Sequence, residues 1–549
     1  MKWAIAQAPE MEYVIPIPQL RERNHALVCG GGNQNEIPLP QLRDRNDIEP
    51  AGEELFSSTG GNGLGPQELM ELRLGGIATL LNTRCGTRER VVAGYSIDSR
   101  SIRPGQLFFA MRGPRFDGHQ FIAQAIERGA AGAVVEQAFF DQAPPGLTPM
   151  LLPLQSPLEA LQLLGRCVRR KWGRPLVAVT GSMGKSTTKE MIAALLGPRF
   201  SVHKSAGNLN NRYGLPLTLL GLEPEHEIAV VELAMSAAGE IAHLALIAEP
   251  ETGVVTNVAP VHLEFFDSVE SIAKAKRELV DNLSWRGGPP TAVLNYDDPR
   301  VQRLAEGFEG KVVTFGFGPG ADFRALRVKR GEGIGSEFQV IGPNLDADFL
   351  LPLPGLHNVQ NALAAIAVAS SFDVPPVEMR RGLVEFQNMP QRGESLTLPG
   401  PVTIINDCYN SNPQAMACML ETLRTWPGAR RRIVVAGEML ELGPQSPQLH
   451  KETGRKCAEN NLSWLIAVQG DAGFFVEGAV AAGLPPQQTR FFPEARWAGE
   501  FCRSLLEPGD VVLVKGSRGV HLETVTEMLR CELVAKAVSA SKPNSESVP

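Results

Sequence analysis

Short apolar runs alternate with helical patterns over residues 173–395, and the same alternation returns over residues 396–535. Such runs have the length of buried strands, and strands that alternate with helices predict parallel sheets covered by helices. Two α/β domains are therefore expected. The predicted strands are Leu176–Thr180, Ile228–Leu233, Val254–Val258 and Ala292–Asn295 in the first region, and Val402–Ile405, Ile433–Ala436, Leu465–Val468 and Val511–Val514 in the second.

A smaller mixed segment covers residues 67–172. Its pattern predicts strands at Val91–Ile97 and Gln106–Ala110 and a short helix over Phe121–Gly129. Inside the first α/β region, the glycine-rich stretch Gly316–Gly355 alternates polar and apolar residues, which predicts a small antiparallel insert.

The two ends of the chain carry no sustained helix or strand period. Residues 1–66 are rich in Pro, Gly, Asn and charge and contain one near-repeat, Ile15–Asn24 and Ile37–Asn46, which is too little for a solenoid. We expect this stretch to be a disordered extension or a misassigned start, with translation beginning at Met70. Residues 536–549 are expected to be a disordered tail.

Composition excludes several classes of function. The 549 residues carry a formal net charge of −7 and no long basic run, so neither nucleic acid nor an anionic membrane is an expected partner. The eight cysteines form no C-x-x-C pair, which is typical of thiols in a reducing compartment and argues against a zinc site. No stretch has the apolar length of a membrane span. A cytoplasmic protein with a small-molecule site is expected.

The strongest local signal is a phosphate-binding loop within Leu176–Leu196, where an apolar strand, a glycine-containing turn and a helix follow one another. Gly181 and Gly184 let backbone N–H groups approach phosphate, and the helix turns its positive end toward the anion. Lys185 would reach the β and γ phosphates, and Ser186 would bind magnesium.

The loop is shorter than the general phosphate-loop motif, which would place glycine at Val179. The alternative interpretation is a surface turn with a solvated lysine. The residues expected to bind the nucleotide here are Gly181, Ser182, Met183, Gly184, Lys185, Ser186 and Thr187.

This shorter loop resembles that of the Mur ligases and their relatives, the folylpolyglutamate synthases. Further motifs follow in the family's order at Gly207–Pro216, Glu232–Ile241, Thr256–Glu264 and Gly355–Ala365. The resemblance extends over residues 70–535 and implies a three-domain Mur ligase architecture. The implied domains are a UDP-substrate-binding domain (67–172), a central phosphate-loop, parallel-sheet ATP-binding domain (173–395) and a C-terminal Rossmann-like ligase domain (396–535).

Phosphoryl transfer to a carboxylate brings two anions together and needs cations, for which magnesium is the natural choice. Glu232 ends an apolar run and would lie at the carboxyl edge of the sheet, although a solvated or capping carboxylate is the alternative. The resemblance implies that Glu232 holds Mg²⁺, that His262 contributes to metal binding, and that Lys276 is converted by carbon dioxide to a carbamate. Lys274 on the same helix would point elsewhere. The implied catalytic set is Lys185, Glu232, His262 and Lys276, and the implied metal-binding set is Ser186, Glu232, His262 and Lys276.

Polar residues further along match the family's nucleotide contacts. The resemblance places Asn295, His357, Asn358 and Asn361 near the adenine, although each alone suits a helix or turn cap. It also places Arg392 on phosphate and Asp407 on the ribose, with Gln391 standing where the family usually has glycine.

The segments Ile405–Pro413, Gly437–Gly443 and Val514–Arg518 and residue His450 resemble the branch of the family that adds D-alanyl-D-alanine. Glu438 in place of Asp and Ala234 in place of Gly depart from its pattern. The resemblance implies that the dipeptide contacts Tyr409, Asn410, Asn412, Lys515 and Ser517, and that the UDP substrate contacts Ser96, Asp98, Ser99, Arg100, Gly113, Asp117, His119, Asn208 and Asn211. Either UDP motif alone could be an ordinary polar turn.

The implied activity is ATP-dependent ligation of D-alanyl-D-alanine to UDP-N-acetylmuramoyl-tripeptide through an acyl phosphate, in the last cytoplasmic amino-acid-adding step of peptidoglycan precursor synthesis. ATP, two Mg²⁺ ions and a carbamylated Lys276 are the expected cofactors, and a monomer that closes around its substrates is expected. The third tripeptide residue, diaminopimelate or lysine, stays open. The alternatives are another Mur ligase or a folylpolyglutamate synthase, and a regulatory protein on an inactivated ligase fold. The joint presence of Lys185, Glu232, His262 and Lys276 argues against the last.

Overall fold

The computed structural model describes residues 73–113, 116–331, 335–398 and 400–540, with side chains described as far as Cys531. The expectations for residues 1–66 and for a start at Met70 lie outside these residues. The last helix continues to Ala540, past the point where the tail is predicted to begin. The chain divides into two compact units, one ending at Leu164 and one beginning at Gly165.

The first unit contains a four-stranded sheet in which every neighbouring pair is parallel, in the order β1-β2-β3-β4. Alternate side chains of the middle strands face a core that includes Phe108, Ala133 and Val135. The elements are β1 (Gly94–Ser96), β2 (Gln106–Phe109), β3 (Gly132–Glu136), β4 (Leu151–Leu154), α1 (Leu74–Leu80), α2 (Ile122–Glu127), α3 (Gln137–Phe140) and α4 (Pro157–Trp172), the last of which crosses into the second unit.

The second unit begins with a nine-stranded sheet in the order β13-β12-β11-β10-β9-β8-β5-β7-β6. Strands β5 to β11 pair in parallel, whereas β12 and β13 are antiparallel additions at one edge. Its strands are β5 (Leu176–Thr180), β6 (Val202–Lys204), β7 (Ile228–Glu232), β8 (Thr252–Val255), β9 (Thr291–Asn295), β10 (Lys311–Gly316), β11 (Phe323–Arg330), β12 (Ser336–Gly342) and β13 (Leu345–Leu351).

Both faces of this sheet are covered, which explains the uninterrupted apolar runs. In β5, Val177 and Val179 pack into one core, while Leu176 and Ala178 pack into the core on the opposite face. The helices are α5 (Lys185–Leu196), α6 (Gly214–Leu219), α7 (Glu240–Ala248), α8 (Val269–Asp281), α9 (Pro299–Gln302), α10 (Leu356–Ser371) and α11 (Pro376–Val384).

A six-stranded sheet follows in the order β14-β15-β19-β16-β17-β18, parallel except for the antiparallel edge strand β14. The domain boundary expected after residue 395 falls within β14. Among the described residues, no helix combines the length and the apolar character needed to cross a membrane. The elements are β14 (Glu394–Leu398), β15 (Val402–Asp407), β16 (Arg431–Gly437), β17 (Trp464–Val468), β18 (Thr489–Phe492), β19 (Asp510–Lys515), α12 (Pro413–Arg424), α13 (Ser446–Glu459), α14 (Gly473–Ala481), α15 (Ala495–Leu505) and α16 (Glu523–Ala540).

Candidate active site

The predicted phosphate loop joins β5 to α5 at the carboxyl edge of the nine-stranded sheet. Gly184 has a φ of +78°, and a Cβ atom there would lie 2.4 Å from Oδ1 of Asn361. A Cβ atom at Gly181, whose φ is +148°, would lie 1.9 Å from Oγ1 of Thr256. Both positions therefore require glycine, for conformation and for space.

The phosphate loop is hydrogen-bonded to Asn257, in the segment that follows β8. The backbone N–H of Met183 donates to Oδ1 of Asn257 (2.9 Å), and that of Ser182 donates to the Asn257 carbonyl (2.9 Å). These two N–H groups are thus engaged within the protein. The N–H groups of Lys185, Ser186 and Thr187 belong to the first turn of α5, where a helix supplies no partner, and they are the donors available to an anion.

Lys185 lies at the head of α5 with its side chain folded back over the loop. Its ammonium donates to the Gly181 carbonyl (2.9 Å). Burial lowers the pKa of Lys185, which the Glu232 carboxylate opposes; Arg392 lowers it further and Glu441 raises it. A phosphate bound here would restore the favourable surroundings that the ammonium lost on leaving water.

Glu232 ends β7 and is 2% exposed. Its carboxylate accepts hydrogen bonds from Oγ of Ser186 (2.6 Å) and Nδ2 of Asn210 (2.8 Å). Its backbone N–H donates to Oγ of Ser205 (3.3 Å), whose carbonyl accepts from the buried ammonium of Lys189 (2.5 Å). The structure therefore brings the predicted Ser186 and Glu232 together and adds Asn210, which sequence reasoning missed.

Lys276 lies on α8, which begins with a capping box formed by Ser268 and Ser271. The side chain is 2% exposed, and no described residue hydrogen-bonds or ion-pairs with its ammonium. Burial holds the pKa of Lys276 well below its usual range, and the charge of Lys185 lowers it further. The buried group is therefore biased toward the neutral amine, while Lys274 on the same helix is exposed.

His262 does not join Ser186 and Glu232. Its Nδ1 instead makes a 2.6 Å contact with Oε2 of Glu441, which follows β16 in the six-stranded sheet. Within the described ranges, no three His, Cys, Asp or Glu side chains are grouped so as to hold a metal by themselves. Of the four predicted metal-binding residues, Ser186 and Glu232 are therefore in contact with each other. Lys276 makes no such contact among the described residues, and His262 is bound to Glu441.

The order and spacing of these features match known proteins along the chain. Family models match for the Mur ligase family catalytic domain (residues 91–165), the Mur ligase middle domain (179–369) and the Mur ligase glutamate ligase domain (391–518). The UDP-N-acetylmuramoyl-tripeptide–D-alanyl-D-alanine ligase of Bacillus subtilis (strain 168) is 34% identical over 443 residues, which cover 80% of this chain and 94% of the relative.

This chain belongs to the Mur ligase family. Its fold is that of solved structures described as MurF from Acinetobacter baumannii (TM-score 0.74, 29% identity, 83% of this chain and 97% of that one) and as MurF ligase from Thermotoga maritima in complex with ADP (TM-score 0.70, 29% identity, 81% and 98%). The predicted α/β fold with three Mur ligase domains is confirmed, and as a Mur ligase the chain is an ATP-dependent, ADP-forming enzyme.

The residues that the Mur ligase resemblance assigns to the adenine are largely engaged with their neighbours. The Asn295 amide donates to the Thr256 carbonyl (2.7 Å) and accepts from Gln360 (3.1 Å). Asn358 donates to the Pro354 carbonyl (2.8 Å), while Asn361 lies against Gly184. The side-chain amides of Asn295 and Asn358 therefore stabilise the local loops and the start of α10 through internal hydrogen bonds.

His357, at the start of α10, faces the predicted ribose residue. Burial lowers the pKa of His357 to about 4; Asp407 opposes this shift and Lys515 adds to it. Asp407 and Lys515 are paired partners at one register of β15 and β19, with Nζ 2.6 Å from Oδ2. Lys515 also donates to the Asn410 carbonyl (2.9 Å). Asp407, predicted to contact the nucleotide, therefore forms an ion pair with Lys515, predicted to contact the dipeptide.

Arg392 lies over the ring of Tyr409, with its guanidinium carbon 4.0 Å from the ring centre, and Arg518 lies 5.4 Å from the same ring. Nε of Arg392 is buried without a hydrogen-bond partner. Gln391 has a φ of +63°, a left-handed conformation that glycine adopts without strain, which agrees with the expectation that glycine usually stands at this position.

Several predicted substrate residues are engaged in local structure. Asn412 caps α12 by accepting from the N–H of Ala415 (2.8 Å), and Ser517 accepts from the N–H of Leu440 (2.9 Å). Asn211 accepts from the N–H groups of Tyr213 and Gly214 at the start of α6, which leaves Asn210 as the member of this asparagine cluster that reaches Glu232.

The predicted UDP-substrate residues other than Asn208 and Asn211 lie in the first unit. Asp98 forms a two-pronged pair with Arg100, which lowers the pKa of Asp98. Asp117 contacts Nδ1 of the buried His119 (2.6 Å) and pairs with Arg112 (3.1 Å). The remaining members are hydrogen-bonded within the same unit: the Ser96 hydroxyl donates to the Asp98 carbonyl (3.0 Å), that of Ser99 to Gln124 (3.2 Å), and the Gly113 N–H to the Phe116 carbonyl (2.9 Å).

Proposed function

We propose that this Mur ligase joins D-alanyl-D-alanine to UDP-N-acetylmuramoyl-tripeptide, with ATP converted to ADP and phosphate. The observation that carries the proposal is the Ser186–Glu232 pair, which lies beside Lys185 at the head of the phosphate-loop helix. The substrates are those of the ligase for which the Bacillus subtilis relative is named, 94% of which aligns with this chain. The expected site of action is the cytoplasm, and the expected working form is a monomer.

The oxygen atoms of Ser186 and Glu232 suit magnesium. Mg²⁺ in phosphate-transfer sites is typically held by one or two protein oxygens together with phosphate and water, so a cage of three acidic residues is not required. Ser186 and Glu232 would hold one ion, and His262 and Lys276 would contribute to a second. Bound magnesium would supply charge neutralisation between the γ-phosphate and the substrate carboxylate.

Lys276 suits carbamylation. Its buried side chain favours the neutral amine, whose lone pair attacks the carbon of CO2; a carbon–nitrogen bond forms and one amine proton is released to solvent. The product is an anion with two oxygen atoms, which are ligands of the kind that Mg²⁺ prefers. It would also neutralise the repulsion between Lys276 and Lys185.

The proposed reaction has two steps. The tripeptide carboxylate attacks the γ-phosphorus of ATP and the bond to the β-phosphate oxygen breaks, giving an acyl phosphate and ADP. The amine of D-alanyl-D-alanine then attacks the acyl carbon, loses a proton and expels phosphate. Lys185 and the N–H groups at the start of α5 would stabilise charge on the transferring group, and exclusion of water would protect the acyl phosphate.

Phosphate release by the purified chain tests this function. With ATP, Mg²⁺, UDP-N-acetylmuramoyl-tripeptide and D-alanyl-D-alanine, we expect release only when every component is present, together with a product whose mass is that of the pentapeptide nucleotide. Running the diaminopimelate and lysine forms of the tripeptide in parallel identifies the accepted third residue. Activity restricted to another carboxylate or amine would refute this substrate assignment.

A further inference from the structure

One contact joins the two sheets of the second unit close to the phosphate loop. His262 follows β8 of the nine-stranded sheet and Glu441 follows β16 of the six-stranded sheet, and their side chains meet at 2.6 Å although 179 residues separate them. The backbone N–H of Glu264 also donates to the Glu441 carbonyl (3.3 Å). The two loops are therefore joined through both side chain and backbone.

The backbone at this contact adopts an uncommon conformation on both sides. His262 has a φ of +57° and Glu441 a φ of +65°, in the left-handed region that residues other than glycine rarely occupy. Gly443 is left-handed as well, and a Cβ atom there would lie 3.1 Å from Cα of Glu264. Such conformations persist where the surrounding structure holds them, and they cluster at functional sites.

The contact between His262 and Glu441 orients the imidazole ring and contributes little to the stability of the fold. The side chains of His262 and Glu441 are 22% and 35% exposed, and an ion pair so open to water adds little to the free energy of folding. A carboxylate can only accept, so neutral His262 carries its proton on Nδ1 and its lone pair on Nε2. Nε2 makes no hydrogen bond to any described residue. A carboxylate that fixes the tautomer and orientation of an imidazole is the usual support of a metal-binding histidine.

The Glu441 carboxylate also acts on the phosphate loop, since its charge raises the pKa of Lys185 against the effect of burial. Glu441 lies in the segment Gly437–Gly443, whose resemblance to the D-alanyl-D-alanine-adding branch assigns this residue no role. The contact now supplies one.

We propose that Glu441 is a positioning residue, which reaches from the C-terminal domain to hold His262 so that Nε2 is available to a metal ion beside the nucleotide phosphates. This inference rests on the proposed function, because the metal belongs to that reaction. It adds that the metal site is completed only when the C-terminal domain is docked through this contact.

The test is Mn²⁺ binding to the full chain in the presence of ADP, with free Mn²⁺ followed by electron paramagnetic resonance. We expect Glu441→Gln to weaken Mn²⁺ binding at least about tenfold, the usual effect of removing the partner of a metal-binding histidine. His262→Ala should weaken it similarly, and the double variant should be no weaker than His262→Ala alone, because the carboxylate acts through the ring. Glu264→Gln, which removes an exposed charge from the same loop, is the matched control and should bind Mn²⁺ as the wild type does.

Urea unfolding separates positioning from folding, since an ion pair this exposed adds little to stability and the midpoint should be nearly equal in Glu441→Gln and the wild type. Equal Mn²⁺ binding by Glu441→Gln and the wild type, or additive losses in the double variant, would overturn the positioning role while leaving the proposed ligation intact. Failure of the wild type to bind Mn²⁺ with ADP would overturn the metal site itself, and the positioning role with it. Phosphate release with both substrates tests the ligation independently.

Discussion

Asn361 of α10 lies against the phosphate loop so closely that a single methyl group at Gly184 would lie 2.4 Å from its Oδ1 atom. The loop therefore has no room for any side chain at the residue that caps α5. This relationship links a helix far along the chain to the geometry of the nucleotide site.

Gly184→Ala should displace Asn361 or the loop and impose left-handed strain, with a combined loss of about 2–4 kcal/mol in the free energy of unfolding. ADP affinity should fall with it. Gly239→Ala is the matched control: Gly239 caps α7 with a φ of +85°, and nothing lies within 4 Å of its added Cβ atom. That variant should lose only the strain contribution, about 1 kcal/mol, and keep ADP affinity. Urea unfolding and calorimetric ADP titration measure both; equal losses in the two variants would contradict the close contact.

Lys185→Ala should reduce phosphate release about 100- to 1,000-fold, because it removes the ammonium that would stabilise charge on the transferring phosphoryl group. Steady-state phosphate release with both substrates measures the loss. Lys204→Ala, which removes a partly exposed lysine paired with Glu190, serves as the control and should retain full activity. Undiminished turnover of Lys185→Ala would refute the nucleotide site.

Lys276→Met should abolish phosphate release and yet stabilise the fold in CO2-depleted buffer. Burial lowers the pKa of Lys276 in the folded protein, so the charged form is less favourable in the fold than in the unfolded chain and the lysine disfavours folding at neutral pH. Methionine removes this penalty. Thermal unfolding at pH 7 should therefore shift upward, and a downward shift would contradict the buried neutral amine.

The carbamate itself is testable by NMR. After incubation with ¹³C-bicarbonate, the wild type and Lys274→Ala should show a carbamate carbon signal that Lys276→Met lacks. Lys274 is the appropriate control because it lies on the same helix but is exposed. A signal that survives in Lys276→Met would assign the modification to another amine.

His357 should make stability depend on pH below neutrality. Its pKa is about 4 in the fold, below the ordinary 6.5, so its contribution is complete above pH 6.5 and is lost as the pH falls toward 4. The loss should be on the order of 1–3 kcal/mol, the upper bound being that of a fully buried group. Urea unfolding at pH 7 and pH 4.5 should show a smaller pH effect in His357→Asn than in the wild type; identical effects would show that His357 is not the responsible group.

The sheets were predictable because their strands are buried on both faces. Leu176–Thr180 is predicted and observed with the same bounds, since all five residues are buried and the first four fill cores on alternate sides. Strand β6 was missed because Val202–Lys204 is short and polar, at the edge of the sheet. The antiparallel strands expected within Gly316–Gly355 are present, and β11 to β13 form one edge of the large sheet.

The site was predictable where neighbouring residues in sequence set the geometry, as in the loop that ends at Ser186. Side chains were harder to assign within clusters. Among the asparagines at 208–211, hydrogen-bond partners decide that Asn210 reaches Glu232 and Asn211 caps a helix, and no local pattern distinguishes them. The contact between His262 and Glu441 was beyond sequence reasoning because it depends on how two distant loops meet.

Strand β19 has a consequence for how the chain is made. It lies between β15 and β16, which pair with it and not with each other, although it is the last strand to be synthesised. During translation the six-stranded sheet therefore cannot be completed until residue 515 has left the ribosome, because β19 joins β14–β15 to β16–β18. All strands of the nine-stranded sheet have been synthesised by then. A nascent chain stalled before Asp510 would expose unpaired strand edges, and premature stop codons there should yield aggregation-prone products.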